Sequence, residues 1–150
     1  MGKLFHVDLN DQDMGRYDQD FRFGSSNYKA AFFLVKLLED NGYNGPRHFD
    51  SHAYRQSDLE DVKEFARGSM RTYSILKEKA ARWNADREIQ DLLKLINVQD
   101  ANLSKLTKRY SSGNAKKLLA APLDRVELAK ARLPYERLDQ LTMEVITGVR

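Results

Sequence analysis

The sequence predicts a mainly helical protein with a small β component, and three observations support this fold class. A strand, a helix and a second strand follow one another once, within residues 1–54. Capped, amphipathic helical patterns then fill residues 55–150 without a further strand pattern. The length of 150 residues is that of one ordinary domain with a core of its own. We therefore expect two segments, 1–54 and 55–150, with a boundary near Tyr54.

Each predicted strand ends in an aspartate. The first strand is predicted over residues 3–8, where aromatic and β-branched residues precede a polar turn. Alternation places His6 and Asp8 on the same face, and both faces are largely apolar, which suits a parallel sheet covered on both sides. The second strand is predicted over residues 47–50 and ends at Asp50. In α/β proteins the carboxyl ends of the strands are where sites are built.

The loop over residues 9–26 is long and dense in carboxylates and amides. Loops of this length inside compact domains are usually functional or disordered. Five aspartates fall within thirteen residues, and they are Asp8, Asp11, Asp13, Asp18 and Asp20. They repel one another unless a positive charge lies among them. A strand that delivers one carboxylate, followed by an Asp-x-Asp pair, is therefore half of a candidate divalent cation site.

The helices are predicted from their capping and breaking residues. Apolar residues recur at helical spacing over residues 27–41, and Asn41-Gly42 is a stop signal. Ser57-x-x-Glu60 is a capping box that opens a long helix to about residue 84. Further helices are predicted over residues 86–96, 99–110, 114–120, 124–132 and 134–147, with Asp124 as a cap and Pro134 in the first turn of the last.

Composition excludes several classes of protein. The 25 basic and 22 acidic residues give a net charge of only +3, and they are spread along the chain, so nothing favours a nucleic acid partner. The absence of cysteine excludes a disulfide framework, a thiolate metal site and a cysteine nucleophile, and it suits a reducing compartment. No apolar run approaches the roughly 18 residues that span a bilayer, and no leader pattern opens the chain. We expect a soluble, cytoplasmic protein with no membrane partner.

The three histidines lie close to the candidate carboxylates. His6 and His48 stand two residues before Asp8 and Asp50, on the same face of each strand, so they could be metal ligands. The alternative, which we favour, is that both are interior histidines with satisfied hydrogen bonds. His52 follows the second strand and is expected to be exposed.

The other acids of the loop have a simpler interpretation. Asp11 and Asp13 are expected to be ordinary loop acids. The start of the helix near Asn27 could also hold one carboxylate in place of a metal, because helix amino termini attract negative charge.

Six stretches of the sequence match one known family in the order in which they occur there. Residues 3–12 (KLFHVDLNDQ) look like a seventh barrel strand and the start of its loop, residues 17–24 (YDQDFRFG) like a metal-binding loop, and residues 42–50 (GYNGPRHFD) like an eighth strand. The similarity continues through residues 68–78, 135–141 and 148–150. On these stretches the chain resembles the metal-dependent xylose isomerases, in their carboxyl-terminal portion from the seventh strand to the end.

The resemblance implies both a fold and a reaction. The fold would be the last two β/α units of a TIM (β/α)8 barrel in residues 1–54, and a helical segment with a subunit-wrapping arm in residues 55–150. The family reaction is the isomerisation of D-xylose to D-xylulose by a hydride shift. Divalent cations, which are magnesium, manganese or cobalt, act in it as Lewis acids that offset alkoxide charge. By resemblance the metal ligands are Asp8 and Asp50 for the cation that holds the sugar, and Asp18 and Asp20 for the second.

The resemblance also implies an incomplete catalytic set. The family draws two glutamates and a histidine, a lysine, a ring-opening histidine and aromatic walls from earlier strands. Two strands cannot close a barrel that takes roughly 250 residues. We therefore expect the chain alone to be inactive, and to act on a sugar only if a complement chain supplies the missing strands. Without one, the four aspartates are inherited and solvated, or they bind a cation weakly or as a bridge.

A second hypothesis is that the chain is a self-associating helical module that carries a relic or partial divalent metal site. Apolar surface made for missing strands and helices must be buried, and another copy of the chain can bury it. We expect a homodimer or larger homo-oligomer, formed through swapped helices or paired strand edges.

Overall fold

The structure is a computed structural model that describes residues 4–98, 105–121 and 125–150. It is mainly helical with one two-stranded parallel sheet, which confirms the predicted fold class at this level. The chain divides into two compact units. One holds the described residues up to Trp83 together with residues 143–150, and the other holds the described residues of 84–142. The division near Tyr54, which separates the carboxylate-bearing segment from the helices, stays a prediction.

The two strands are shorter than the sequence predicts. Strand β1 (Val7–Leu9) pairs in parallel with strand β2 (Arg47–Phe49). The predicted first strand covers residues 3–8, but residues 4–6 are not in a strand and β1 extends one residue further, to Leu9. The predicted start and end are therefore both wrong. The reason is that β1 pairs with three residues of β2 alone, and this register sets its length. Asp8 therefore lies in the middle of its strand, whereas Asp50 follows β2 directly.

Helix α1 (Tyr28–Asp40) confirms its prediction to within one residue at each end. The Asn27 side chain caps it by accepting a hydrogen bond from the Ala30 N–H at 3.0 Å. At the other end Gly42 has a φ of 61°, a left-handed conformation that glycine adopts without steric cost. The N–H groups of Gly42 and Tyr43 bond back to the carbonyls of Glu39 and Leu38, which is a Schellman motif.

Helix α2 (Leu59–Ala85) begins with a different cap from the predicted one. The Asp58 carboxylate, rather than the Ser57 hydroxyl, accepts hydrogen bonds from the N–H groups of Glu60 and Asp61, at 2.9 and 3.1 Å. The Asp61 carboxylate in turn accepts from the N–H of Ser57 at 2.9 Å. The capping box is thus shifted by one residue, because aspartate is at least as good a cap as serine.

The remaining helices lie close to their predicted ranges. They are α3 (Arg87–Val98), α4 (Ser112–Ala120), α5 (Arg125–Lys130) and α6 (Tyr135–Thr147). Ser111 caps α4 by accepting from the Asn114 N–H, so this helix begins two residues before the predicted start at residue 114. The helix predicted over residues 99–110 lies partly outside the described residues, within which residues 105–107 are helical. The predicted cap Asp124 also lies outside them.

The larger unit packs its core between α1 and the second half of α2. Its fully buried side chains are Leu9, Phe23, Phe32, Val35, Ser69, Leu76 and Val145. Gly24 lies against α2, since a Cβ atom on it would stand 2.8 Å from Cγ2 of Thr72. The predicted apolar stripe of α2 is buried only in this second half. Leu59, Val62 and Met70, in its first half, are exposed because nothing in the part of the chain that the structure describes covers them.

A polar network holds β2 against α1 and α2. The Glu39 carboxylate of α1 accepts hydrogen bonds from the Tyr73 hydroxyl at 2.6 Å and from Arg47 at 3.0 Å, and it pairs with Lys77 at 2.7 Å. Arg47, the first residue of β2, also donates to the Tyr73 hydroxyl at 2.6 Å and to the carbonyls of Tyr43 and Gly45. The network therefore fixes the strand that carries His48 and precedes Asp50.

The electrostatics of this network follow from its partial burial. Burial is the main influence on Tyr73, and with the hydrogen bond to Glu39 it raises the pKa of that phenol to about 12. Burial alone would also raise the pKa of Glu39, but the hydrogen bonds from Lys77 and Tyr73 and the charges of Lys77 and Arg47 outweigh it. The pKa of Glu39 is therefore lower than usual, and its carboxylate stays ionised.

Candidate metal centre

The side chains of His6, Asp8 and His48 lie together beside the sheet. Oδ1 of Asp8 is 2.6 Å from Nε2 of His6 and 3.7 Å from Nδ1 of His48. The pairing of β1 with β2 places Asp8 directly opposite His48, and the two histidine nitrogens are 2.9 Å apart. Among the residues that the structure describes, His6, Asp8 and His48 form a group that could hold a metal ion, because their ligand atoms all lie within 4.8 Å of one another.

The prediction that His6 and His48 are interior histidines is wrong. Their side chains are 44% and 63% exposed, because the described residues do not cover them. His52 is exposed, as predicted. The contact between His6 and His48 was not predictable, because it depends on the register of two strands that are separated by a loop and a helix.

Asp11 closes the loop that follows β1 and ties it to α1. Its backbone N–H and carbonyl both bond to Phe21 at 3.0 Å, which makes residues 11–21 a closed loop. Its carboxylate accepts from the N–H groups of Ser26 and Asn27, at 2.7 and 2.9 Å, just before α1 begins. One acid is thus held at the start of this helix, as the sequence suggested, and that acid is the buried Asp11.

The Asp-x-Asp pair occupies an unusual backbone conformation within this loop. Asp18 and Asp20 have φ angles of 58° and 51°, in the left-handed region that few residues other than glycine, asparagine and aspartate adopt. The Asp20 carboxylate accepts from the side-chain amide of Asn10 at 2.8 Å and lies 3.5 Å from Nδ1 of His52. The Asp20 carbonyl accepts from the His52 N–H at 2.8 Å, which ties the loop to the segment after β2.

Two glutamines keep the rest of the loop in shape. The Gln12 side chain accepts from the Asp18 N–H at 3.2 Å, and the Gln19 side chain accepts from the Asp13 N–H at 2.9 Å. The Tyr54 hydroxyl donates to the Gln19 carbonyl at 2.8 Å. The first two bonds use side-chain amide oxygens rather than carboxylates, and Asp18 itself is exposed.

The four predicted ligands differ in how the protein holds them. Within the described part of the chain, the carboxylates of Asp18 and Asp50 have no hydrogen bond or ion pair. Asp20 accepts a hydrogen bond from Asn10 and lies 3.5 Å from His52, and Asp8 contacts His6 at 2.6 Å and lies 3.7 Å from His48. The four do not form one tight cluster in this structure. Hard carboxylate oxygens nevertheless suit magnesium or manganese, and four of them are fewer than the six ligands that such ions take, so they fit part of a coordination shell.

Comparison with known proteins identifies the family. The chain is 51% identical to the xylose isomerase of Thermus caldophilus and 53% identical to that of Thermus thermophilus, each over 149 residues and 99% of the chain. The xylose isomerase of Streptomyces lividans is 43% identical over an alignment of 157 residues. The chain belongs to the xylose isomerase family. It spans 38% of the length of each of these xylose isomerases and matches their carboxyl-terminal part.

No family model matches the chain. None of the described helices is both long and apolar enough to cross a membrane. The xylose isomerases that match the chain confirm the resemblance predicted from the sequence. The roles of the individual aspartates stay predictions.

Proposed function

We propose that this chain supplies the last two β/α units of a xylose isomerase, together with four of its metal-binding carboxylates. The reaction is the metal-dependent isomerisation of D-xylose to D-xylulose. The observation that carries this proposal is the identity of 51–53% to two xylose isomerases across 149 residues, which include both strands and the loop between β1 and α1. The parallel pairing of β1 with β2 is the arrangement that adjacent strands of a TIM barrel require.

The proposed ligands are Asp8 and Asp50 for one divalent cation, and Asp18 and Asp20 for a second. The loop supports this assignment, because strained backbone at two aspartates persists only where surrounding contacts over-determine it, and such strain clusters at functional sites. Those contacts come from Gln12, which accepts from the Asp18 N–H, and from His52, whose N–H donates to the Asp20 carbonyl, while Asn10 orients the carboxylate of Asp20. Cations bound there would offset negative charge on the sugar oxygens, while the chain's own residues fix the ligand positions.

The purified chain is expected to form no xylulose from xylose with magnesium, manganese or cobalt. Two strands and four carboxylates do not enclose a sugar, so the described residues provide no water-excluding site. The measurement is xylulose formed above a metal-free control. Xylulose formation should appear when the chain is co-purified with the amino-terminal 62% or so of the Thermus thermophilus enzyme, the part that the alignment leaves out. Turnover by the chain alone would contradict this prediction, and an associated but inactive pair would contradict the proposed function.

Replacing both Asp18 and Asp20 by asparagine should weaken the binding of manganese. The double substitution keeps the size and shape of the side chains but removes two negative charges and two hard oxygen ligands. Calorimetric titration with manganese measures the change. Asp91→Asn is a matched control, because Asp91 lies on α3 and pairs with Lys94 at 2.8 Å. An unchanged titration of the double variant would remove this pair as ligands.

Self-association is the alternative function, and the exposed apolar surface of the larger unit favours it. Leu34 and Leu37 on α1, and Val62 and Met70 on α2, are exposed in the described structure. The sheet also has only two strands there, so its outer edges offer unpaired backbone groups. A second copy of the chain would cover both features. Light scattering at micromolar concentration should therefore give the mass of a dimer or larger assembly, and a monomer mass would rule this alternative out.

A further inference from the structure

We propose that His6, Asp8 and His48 form a binding site for a borderline transition-metal ion of the zinc class. This site uses two imidazole nitrogens and one carboxylate oxygen, so its chemistry differs from that of the all-oxygen site proposed above. It does not rest on the proposed function, because it depends only on these three side chains and on the pairing of β1 with β2.

The three ligand atoms already form a triangle of the right size. Its edges are 2.6 Å from His6 Nε2 to Asp8 Oδ1, 2.9 Å from His6 Nε2 to His48 Nδ1, and 3.7 Å from His48 Nδ1 to Asp8 Oδ1. Ligands about 2.0–2.1 Å from a tetrahedral metal lie about 3.3 Å apart. Each edge is thus within less than an ångström of that spacing, which side-chain rotation can supply.

Hydrogen bonding alone does not satisfy this triangle. Nε2 of His6 makes two short contacts, but a ring nitrogen of neutral histidine carries either one proton or one lone pair. It can therefore donate to Asp8 or accept from His48, and a single proton cannot serve both contacts with good geometry. A cation at the centre would accept a lone pair from all three atoms at once.

The surroundings of the triangle also suit an ion. The side chains of His6, Asp8 and His48 are 44%, 52% and 63% exposed, so an ion can reach them and keep a water ligand. Their backbone is fixed, because Asp8 pairs directly with His48 and the Val7 N–H bonds to the Pro46 carbonyl. Two imidazoles and a carboxylate favour zinc, cobalt, nickel or copper over magnesium. The site and the proposed magnesium-class site share Asp8, so the two kinds of ion should compete for it.

The test is a calorimetric titration of the untagged chain with zinc, alongside three single variants. His6→Gln and His48→Gln each remove one proposed ligand, and His52→Gln is the matched control because His52 contacts Asp20 instead. We expect zinc affinity to fall by at least about tenfold in the first two variants, since even the loss of a residue that only supports a ligand costs 10–100-fold. The control should stay within about twofold of the parent. Unchanged affinity in His6→Gln and His48→Gln, or an equal loss in His52→Gln, would overturn the proposal.

A second measurement needs no substitution and so does not depend on variants that fold. Zinc should shift the imidazole NMR signals of His6 and His48 in the unmodified chain and leave those of His52 in place. A tenfold excess of magnesium should not reproduce these shifts. Equal shifts of all three histidines, or none at all, would contradict a site at this triangle.

Discussion

Replacing Asp11 by alanine is expected to lower the free energy of unfolding by about 3 kcal/mol. Asp11 is only 8% exposed. Its carboxylate accepts hydrogen bonds of 2.7 and 2.9 Å from two backbone N–H groups, those of Ser26 and Asn27, just before α1 begins. Hydrogen bonds to an ionised group are each worth about 1.5–3 kcal/mol, and their removal leaves both donors without a protein partner. Urea denaturation at fixed protein concentration measures the loss.

The same substitution should also weaken the binding of manganese, although Asp11 is not a proposed ligand. The carboxylate ties the closed loop of residues 11–21 to α1, and that loop carries Asp18 and Asp20. Asp13→Ala is the matched control in the same loop, because Asp13 is exposed and accepts one hydroxyl hydrogen bond, from Ser26 at 2.7 Å. This control should cost less than about 1 kcal/mol. Equal losses in the two variants would show that Asp11 does not anchor the loop.

The helices were predictable because their signals are local. For α1 the cap at Asn27, the apolar repeat and the stop at Asn41-Gly42 all lie within the helix or next to it, and the observed ends agree to within one residue. The cap of α2 was misplaced by one residue because Ser57 and Asp58 are both good caps, and the sequence alone does not decide between neighbours. Local signals thus fix a helix but not always its first residue.

The strands and the site were less predictable because they depend on distant residues. The limits of β1 are set by its register with β2, which lies beyond a loop and a helix. The anchoring role of Asp11 depends on N–H groups 15 and 16 residues further along the chain. The pattern of acids predicts a cation site, but it does not indicate which acid supports the loop. The exposure of His6 and His48 depends likewise on what covers their face of the sheet.

Replacing Glu39 by glutamine is expected to lower the free energy of unfolding by about 2 kcal/mol at neutral pH. The Glu39 side chain is 19% exposed, and it accepts charge-assisted contacts from Arg47, Tyr73 and Lys77. Glutamine has nearly the same shape but no charge, so the guanidinium of Arg47 would lose its ionic partner in a partly buried position. Because Arg47 begins β2, the variant should also loosen the strand that carries His48, and faster hydrogen exchange of its backbone N–H groups would report this.

The effect of this substitution should depend on pH in a defined direction. The pKa of Glu39 is lower in the folded protein than its ordinary value, so the ionised carboxylate stabilises the fold above that ordinary value. This contribution is lost as pH falls through the lowered pKa, where the parent protein carries a neutral side chain much like glutamine. The difference in stability between parent and Glu39→Gln should therefore shrink in acid.

Glu60→Gln is the matched control, because Glu60 is 67% exposed in its pair with Lys63, and it should change stability by less than about 0.5 kcal/mol. A difference between parent and Glu39→Gln that stayed constant into acid would mean that packing, rather than the carboxylate charge, makes Glu39 important for holding β2 in place.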